Sequence, residues 1–130
     1  MAHYIDTSAL AKLVVVENET DALRSWIRSV HPTLVSSDLA RAELLRVVRR
    51  GAPDRVLQAR EVLDSIVLVT LATSTFELAG LLDPTILRTL DAVHIAAALE
   101  LGDDLEGVVT YDNRFAEAAQ ANGIAVIAPA

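Results

Sequence analysis

Residues 3–8 have the sequence H-Y-I-D-T-S, in which a carboxylate, Asp6, ends a short apolar run. The run has the length and composition of a buried strand, and the polar residues after it favour the start of a helix. Two interpretations of Asp6 are therefore open. Asp6, Thr7 or Ser8 caps the following helix, or Asp6 belongs to a site assembled from distant parts of the chain.

Apolar runs like the first one recur along the chain and alternate with longer segments of helical spacing. The runs are His3–Asp6, Thr33–Ser36, Ile66–Leu71, Gly107–Thr110 and Ile124–Ile127. The helical segments between them are Thr20–Val30, Asp38–Arg50, Pro53–Ser65, Thr73–Leu82, Asp91–Leu101 and Asn113–Ala121. Such alternation is typical of βαβ crossovers, and continuous apolar strands indicate a sheet buried on both faces. The sequence predicts a three-layer α/β/α sandwich around a mostly parallel sheet of about five strands.

Length and composition restrict the class of protein. The 130 residues, 52% hydrophobic and 22% charged, predict one globular domain over residues 1–130. The chain has no cysteine, which excludes disulfides, thiolate metal sites and thiol catalysis. No apolar run approaches the roughly 18 residues that a membrane helix needs, and the N-terminus does not resemble a secretory signal. We therefore expect a cytoplasmic protein without a membrane partner.

Charge is distributed unevenly along the chain. The net charge of −7 taken alone argues against a nucleic-acid partner. Residues 38–60, however, carry six arginines against three acidic residues, a local net charge of +3 that leaves −10 for the remainder. This stretch includes Arg46, Arg49 and Arg50, which are candidate RNA contacts; the alternative is a solvated helix face.

Four acidic residues stand at helix starts or close to them. Asp6 and Asp112 each follow a predicted strand, Asp91 begins the segment D-A-V-H-I-A-A-A-L, and Glu43 lies about one turn into the second helical segment. Individually, the three aspartates have the positions of N-caps, each contributing about 1 kcal/mol. Glu43 has Arg46 three residues on and could form a surface ion pair with it.

Taken together, the acids indicate more than capping. Helices that follow parallel strands begin at one edge of the sheet, where open α/β folds bind their ligands. Carboxylates that crowd there repel one another unless protons or cations neutralise them. A hard divalent cation such as Mg²⁺ prefers oxygen ligands, and such ions can activate water and stabilise charge on a phosphoryl group. An acidic metal site beside a basic patch would suit phosphodiester cleavage.

The same segments carry a resemblance to a known family. I-D-T-S-A-L-A, R-A-E-L-L, L-D-A-V-H-I-A-A-A-L-E-L-G, V-V-T-Y-D-N-R-F-A-E-A-A and G-I-A-V-I-A-P occur in order along nearly the whole chain. In this order and spacing they resemble PIN-domain proteins, and the chain length suggests the VapC toxins of bacterial toxin–antitoxin pairs. Each motif is short, and the specificity of the match lies in their combination.

The resemblance implies a PIN-like fold and an endoribonuclease that uses Mg²⁺, with Mn²⁺ as a substitute, and leaves 5′-phosphate and 3′-hydroxyl ends. The implied catalytic acids are Asp6, Glu43, Asp91 and Asp112. Of these, Asp6, Asp91 and Asp112 are the implied metal ligands, and Ser8 and Thr110 line the pocket. The implied partners are RNA, a cognate VapB-type antitoxin and a second copy of the chain, in a homodimer that forms a heterotetramer or larger assembly with the antitoxin.

Two alternatives remain at this point. A PIN-like fold could bind RNA or protein without turnover, although such a module has no use for acids that repel one another. His94, three residues after Asp91, could be a ligand or a hydrogen-bond donor behind the ligands, or a structural histidine at the edge of the core.

Overall fold

The computed structural model describes all of residues 1–130 and contains a five-stranded sheet in which every strand pairing is parallel. The strands are β1 (Ala2–Ile5), β2 (Thr33–Ser37), β3 (Val67–Val69), β4 (Leu105–Val109) and β5 (Val126–Ile127). Their order across the sheet is β3-β2-β1-β4-β5. The predicted architecture is confirmed, and each of the five apolar runs overlaps one strand.

Seven α-helices connect and cover the strands. They are α1 (Thr7–Val14), α2 (Thr20–Val30), α3 (Leu39–Gly51), α4 (Val56–Asp64), α5 (Thr73–Leu81), α6 (Thr89–Leu99) and α7 (Asn113–Ala121). Short 3₁₀ turns precede α4 and β4, at Pro53–Arg55 and Gly102–Asp104. None of these helices is long and apolar enough to cross a membrane.

The two faces of β1 each contribute to a different half of the core. Ile5 and Val109 pack with buried residues of α1 to α4 on one face. Tyr4 and Val108 pack with α6 and α7 on the other face, and α5 packs against α6. Because successive strand side chains point to opposite faces, a continuous apolar run was needed to fill both layers, as the sequence predicted.

The strand order reverses between β1 and β4, and this reversal positions the site. From β1 the chain proceeds outward to β2 and β3, then returns to place β4 on the other side of β1. Tyr4 and Ile5 pair with Val108 and Val109, so the carboxyl ends of β1 and β4 lie side by side. Such a reversal opens a crevice outside the carboxyl ends of the strands.

Gly107 allows β5 to approach β4 closely. A Cβ atom at this position would lie 2.5 Å from Cδ1 of Ile127 and 2.8 Å from the carbonyl oxygen of Ala125. The absence of a side chain lets the backbone N–H of Val108 donate to that carbonyl at 2.9 Å. The glycine thus fixes the outer strand beside β4.

Candidate active site

Asp6 both caps a helix and takes part in a tertiary site. Its Oδ1 accepts the backbone N–H of Ala9 at 3.0 Å, which makes it the N-cap of α1, and accepts the hydroxyl of Ser8 at 2.7 Å. Its Oδ2 accepts the hydroxyl of Thr110, at the end of β4, at 2.6 Å. Burial raises the pKa of Asp6 above its usual range, although the hydrogen bonds from Thr110, Ser8 and Ala9 oppose that rise. Asp6 is therefore both the N-cap of α1 and a residue that contacts a distant part of the chain.

Ser8 and Thr110, the predicted pocket residues, connect the ends of β1 and β4. Ser8 Oγ accepts the backbone N–H of Tyr111 at 2.9 Å, and Thr110 Oγ1 accepts the backbone N–H of Asp112 at 3.0 Å. The two hydroxyl oxygens lie 3.3 Å apart. Because each hydroxyl has one proton and directs it to Asp6, this contact is a close approach and not a third hydrogen bond. Together, these hydrogen bonds hold Asp6 against the loop that carries Asp112.

Glu43 projects from the second turn of α3 and binds side chains from two other helices. Its Oε1 accepts the hydroxyl of Thr7 at 3.0 Å and lies 2.6 Å from Nε2 of His94. Burial raises the pKa of Glu43, but the hydrogen bond and charge interaction with His94 and the bond from Thr7 outweigh it, so the pKa is lowered. The possible ion pair with Arg46 is not formed, because the carboxylate turns toward α1 and α6 instead.

Asp91 has no hydrogen-bond or ion-pair partner. The interpretation of this residue as an N-cap is wrong: α6 begins two residues earlier, Arg88 is at the N-cap position, and Asp91 is inside the first turn. Burial raises the pKa of the half-buried carboxyl, followed by repulsion from Asp112 and, more weakly, from Glu43. His94 and Arg88 oppose that rise. The surroundings of Asp91 therefore disfavour the charged form of its carboxyl group.

Asp112 is the exposed member of the set. It is the N-cap of α7, and its Oδ1 accepts the backbone N–H groups of Arg114 at 2.9 Å and Phe115 at 3.3 Å. It borders an open polar cavity of about 630 Å³ that Arg88 and Arg114 also line. Neither arginine lies within 4.0 Å of a carboxylate oxygen, so both guanidinium groups are available to an incoming anion.

The four predicted acids thus meet at one edge of the sheet. Asp6 and Asp112 share Thr110, while Asp91 interacts electrostatically with both Asp112 and Glu43. The only lysine, Lys12, does not neutralise them, because its Nζ lies 2.8 Å from Glu19 and 3.7 Å from Glu17. The repulsion of Asp91 by Asp112 and Glu43 agrees with the expectation that acids lie near one another at this edge.

The oxygen donors at the site suit a hard cation, but they do not by themselves form a complete set of ligands. No three of the aspartate, glutamate and histidine side chains are close enough to hold one metal ion by themselves, so Asp6, Asp91 and Asp112 do not form a three-ligand group here. Mg²⁺ commonly binds only one or two carboxylates and retains several waters. Asp91 has no other partner, Oδ2 of Asp112 is unbonded, and Oδ2 of Asp6 accepts only one hydrogen bond, so these carboxylates offer ligands of that kind. The metal assignment remains a prediction.

The predicted RNA contacts lie apart from the acids, on the same helix as Glu43. Arg46, Arg49 and Arg50 line a separate cavity of about 250 Å³ and no other residue contributes to it. At about 1.5 Å of rise per residue, Arg50 is roughly 10 Å along α3 from Glu43. None of the three arginines forms an ion pair.

Sequence reasoning named His94 as a possible hydrogen-bond donor behind the ligands but did not identify its partner, and it considered Thr7 only as a helix cap. His94 contacts Glu43 and not its helix neighbour Asp91, and Thr7 binds Glu43 as well. Both contacts join residues distant in sequence, by 51 and 36 positions, and local spacing carries no signal for them.

Comparison with known proteins gives a consistent assignment. The family profile of the PIN domain matches residues 3–121. Ribonuclease VapC46 of Mycobacterium tuberculosis is 46% identical over 128 residues, covering 98% of each chain. Ribonuclease VapC47 of the same species is 38% identical over 130 residues, covering 97% of this chain and 96% of its own.

A solved structure has the same fold at low sequence identity. The crystal structure of Mycobacterium tuberculosis VapC20, described as a toxin that cleaves the sarcin–ricin loop, superposes with a TM-score of 0.79. The match covers 98% of this chain and all of the other at 18% identity. At that identity the likeness concerns the arrangement of strands and helices.

Proposed function

The chain belongs to the PIN-domain family as a VapC-type protein, and from this premise we propose that it is the ribonuclease toxin of a type II toxin–antitoxin pair. Its reaction is the Mg²⁺-dependent hydrolysis of RNA phosphodiesters, which inhibits translation or growth. The observation that carries this proposal is Asp91, an unpartnered carboxylate held beside Asp112 and Glu43. Repulsion between neighbouring carboxylates is typical of functional sites at which a bound cation neutralises it.

Each acid has a distinct task in the proposed reaction. When bound, Mg²⁺ lowers the pKa of a water ligand and offsets charge on the phosphoryl oxygens. Asp6 and Asp91 are the principal ligands, with Asp6 held in place by Thr110, Ser8 and Ala9. Asp112 completes the site directly or through water.

Glu43 is suited to accept a proton from the attacking water. Its lowered pKa keeps it ionised at neutral pH, and both of its donors bind Oε1, which leaves Oε2 unoccupied. Arg88 and Arg114, which border the cavity beside Asp112, supply positive charge for RNA phosphates.

RNA, a VapB-type antitoxin and a second copy of the chain are the proposed partners. Large exposed apolar side chains support the homodimer: Phe76, Leu81 and Ile86 are 51%, 82% and 90% exposed. They lie along α5 and the loop before α6. Sedimentation equilibrium of the wild type and of Ile86→Asp tests this expectation, since the wild type should be dimeric and the variant mostly monomeric.

The ribonuclease proposal is tested on total cellular RNA. Purified protein is incubated with Mg²⁺ or with chelator, beside Asp91→Asn and a matched control, Asp103→Asn, at the amino end of β4. New 5′-phosphate ends are then mapped. Discrete ends that require Mg²⁺ and Asp91, but not Asp103, support the proposal and identify the target. Ends that persist with Asp91→Asn contradict the assigned site, and no new ends would favour a binding module without turnover.

A further inference from the structure

A buried hydrogen-bonded chain leads from the core to the acidic site. The hydroxyl of Tyr4, on β1, lies 2.6 Å from Nδ1 of His94, on α6. Nε2 of the same ring lies 2.6 Å from Oε1 of Glu43, on α3. Tyr4 and His94 are buried, whereas Glu43 is partly exposed at the site. This series of hydrogen bonds therefore connects the sheet to helices of both layers, and it ends at Glu43.

The protonation pattern of the imidazole follows from its two neighbours. Glu43 is ionised at neutral pH because its pKa is lowered. An unprotonated Nε2 would place a lone pair 2.6 Å from a carboxylate lone pair, so Nε2 carries a proton and donates. Burial raises the pKa of Tyr4 to about 12, so the phenol also keeps its proton. In the neutral ring, Nδ1 is then the acceptor for that proton.

Aromatic packing also holds the imidazole ring of His94 in its orientation. The rings of Tyr4 and Phe115 pack edge-on to the imidazole, with centroid distances of 5.8 Å and 6.1 Å and interplanar angles of 67° and 81°. A ring clamped in this way cannot rotate without losing aromatic contacts as well as its hydrogen bonds. A histidine that served only the core would not need to direct a nitrogen at a partly exposed carboxylate in the site.

We propose that His94 is a positioning residue for Glu43, and that Tyr4, by donating to Nδ1, holds the ring in the orientation that makes this possible. Nδ1 accepts from Tyr4, and Nε2–H donates to Oε1 of Glu43 beside the hydroxyl of Thr7. With both donors on Oε1, the carboxylate is held in place and Oε2 is left without a hydrogen bond, free for the reaction. The catalytic meaning of this arrangement rests on the proposed ribonuclease function, whereas the tautomer does not.

The tautomer is tested first, on the metal-free wild type. Long-range ¹H–¹⁵N NMR distinguishes protonated from unprotonated imidazole nitrogens, and the chain has only three histidines to assign. The exposed His31, replaced in His31→Asn, serves as the assignment control. We expect Nε2 of His94 to be protonated and Nδ1 to be unprotonated. A proton on Nδ1, in either the neutral or the doubly protonated ring, overturns the assignment.

Tyr4→Phe removes a single oxygen and retains the ring. In this variant Nδ1 loses its hydrogen-bond donor, so its resonance should shift, whereas Nε2 still faces Glu43 and should stay protonated. An unchanged Nδ1 resonance would overturn the role of Tyr4. Because the substitution is small, it also provides a test if larger changes at His94 prevent folding.

The positioning role is tested by a double-mutant cycle with Glu43. His94→Leu should lower kcat/KM for RNA cleavage by about 10- to 100-fold, the size usual for residues that orient the groups of a metal site. In a Glu43→Gln background it should cause no further loss, and His94→Gln, which keeps an N–H donor, should recover part of the effect. Additive losses, or equal losses in His94→Leu and His94→Gln, would overturn the proposal in favour of a general structural role.

Failure of the two proposals can be told apart. If the wild type cleaves no RNA, the ribonuclease proposal fails, but the protonation of His94 measured by NMR, and its response to Tyr4→Phe, still test the inference about His94. If the wild type cleaves RNA and Nδ1 is protonated, the ribonuclease proposal stands and the positioning inference fails.

Discussion

The hydroxyl of Thr110 donates to Oδ2 of Asp6 across 2.6 Å and thereby joins the ends of the two strands at which the sheet order reverses. The same oxygen accepts the backbone N–H of Asp112 at 3.0 Å. One buried side chain thus fixes the positions of the first and last acids of the site. Its loss should affect both stability and the site.

Thr110→Val preserves shape and removes this hydroxyl. We expect the free energy of unfolding to fall by about 1–3 kcal/mol, because a buried carboxylate oxygen and a backbone N–H both lose a partner. Urea unfolding measures the change, with Thr33→Val, at an exposed strand position, as the matched control. A loss within about 0.5 kcal/mol, as is typical of surface substitutions, would contradict this role.

Asp91→Asn should separate activity from stability. Loss of an unpartnered carboxylate should lower kcat/KM for RNA by at least about 100-fold, since residues that only orient a ligand already account for about 10- to 100-fold. The fold should remain intact or gain stability in chelator, because repulsion from Asp112 and Glu43 is relieved. Asp103→Asn carries the same change of charge far from the site and should retain activity. Wild-type cleavage by Asp91→Asn would refute the assignment.

The stability difference between Asp91→Asn and the wild type should depend on pH. The pKa of Asp91 is raised above 3.8 in the folded protein, so the fold retains this proton to higher pH than the unfolded chain does. The resulting stabilisation is complete at low pH and is lost as pH rises through the raised pKa. The variant lacks this loss, so its stability relative to the wild type should increase between about pH 4 and pH 7. Urea unfolding in chelator measures the difference, and a flat or falling one would contradict the raised pKa.

Adding Mg²⁺ should reverse the order of stability. An ion that binds only the folded state at 100 times its Kd stabilises the protein by about 2.7 kcal/mol. The wild type should therefore gain thermal stability on addition of Mg²⁺ and lose it again with chelator, while Asp91→Asn should gain much less. Equal shifts in the two proteins would indicate that the ion binds elsewhere.

Most of the fold could be predicted from the sequence because the relevant signals are local. Apolar runs and helical spacing marked all five strands, and the alternation of strands and helices indicated the parallel sheet. Boundaries were less predictable: α6 begins at Thr89, not Asp91, since Arg88 takes the N-cap position without a capping side chain to signal it.

The site was predictable only in part. Asp6 and Asp112 could be placed because strand ends share one edge, and all four acids could be named through the family resemblance. The partner of Glu43 could not be, because Arg46 was the nearest candidate along the helix whereas His94 and Thr7 are brought to it by tertiary packing. Side-chain partners distant in sequence leave no periodic pattern to detect.

The last prediction concerns Arg49 and Arg50, which with Arg46 line the basic cavity on α3. If these side chains contact RNA phosphates, Arg49→Ala with Arg50→Ala should weaken binding uniformly across sequences. The slope of log K against log salt concentration should fall by about 1.4, at about 0.7 per phosphate for a single strand. Filter binding over a salt series with inactive Asp91→Asn as the parent measures the slope without cleavage.

Arg24→Ala with Arg28→Ala is the matched control, because it removes the same charge from α2 beside the cavity at the amino ends of β2 and β3. The two double variants have equal net charge, so a long-range effect of charge alone would change both slopes alike. A smaller slope only in the α3 variant would identify Arg49 and Arg50 as phosphate contacts. An unchanged slope in that variant would return these arginines to a solvated helix face, and RNA binding would then depend on Arg88 and Arg114 beside the acids.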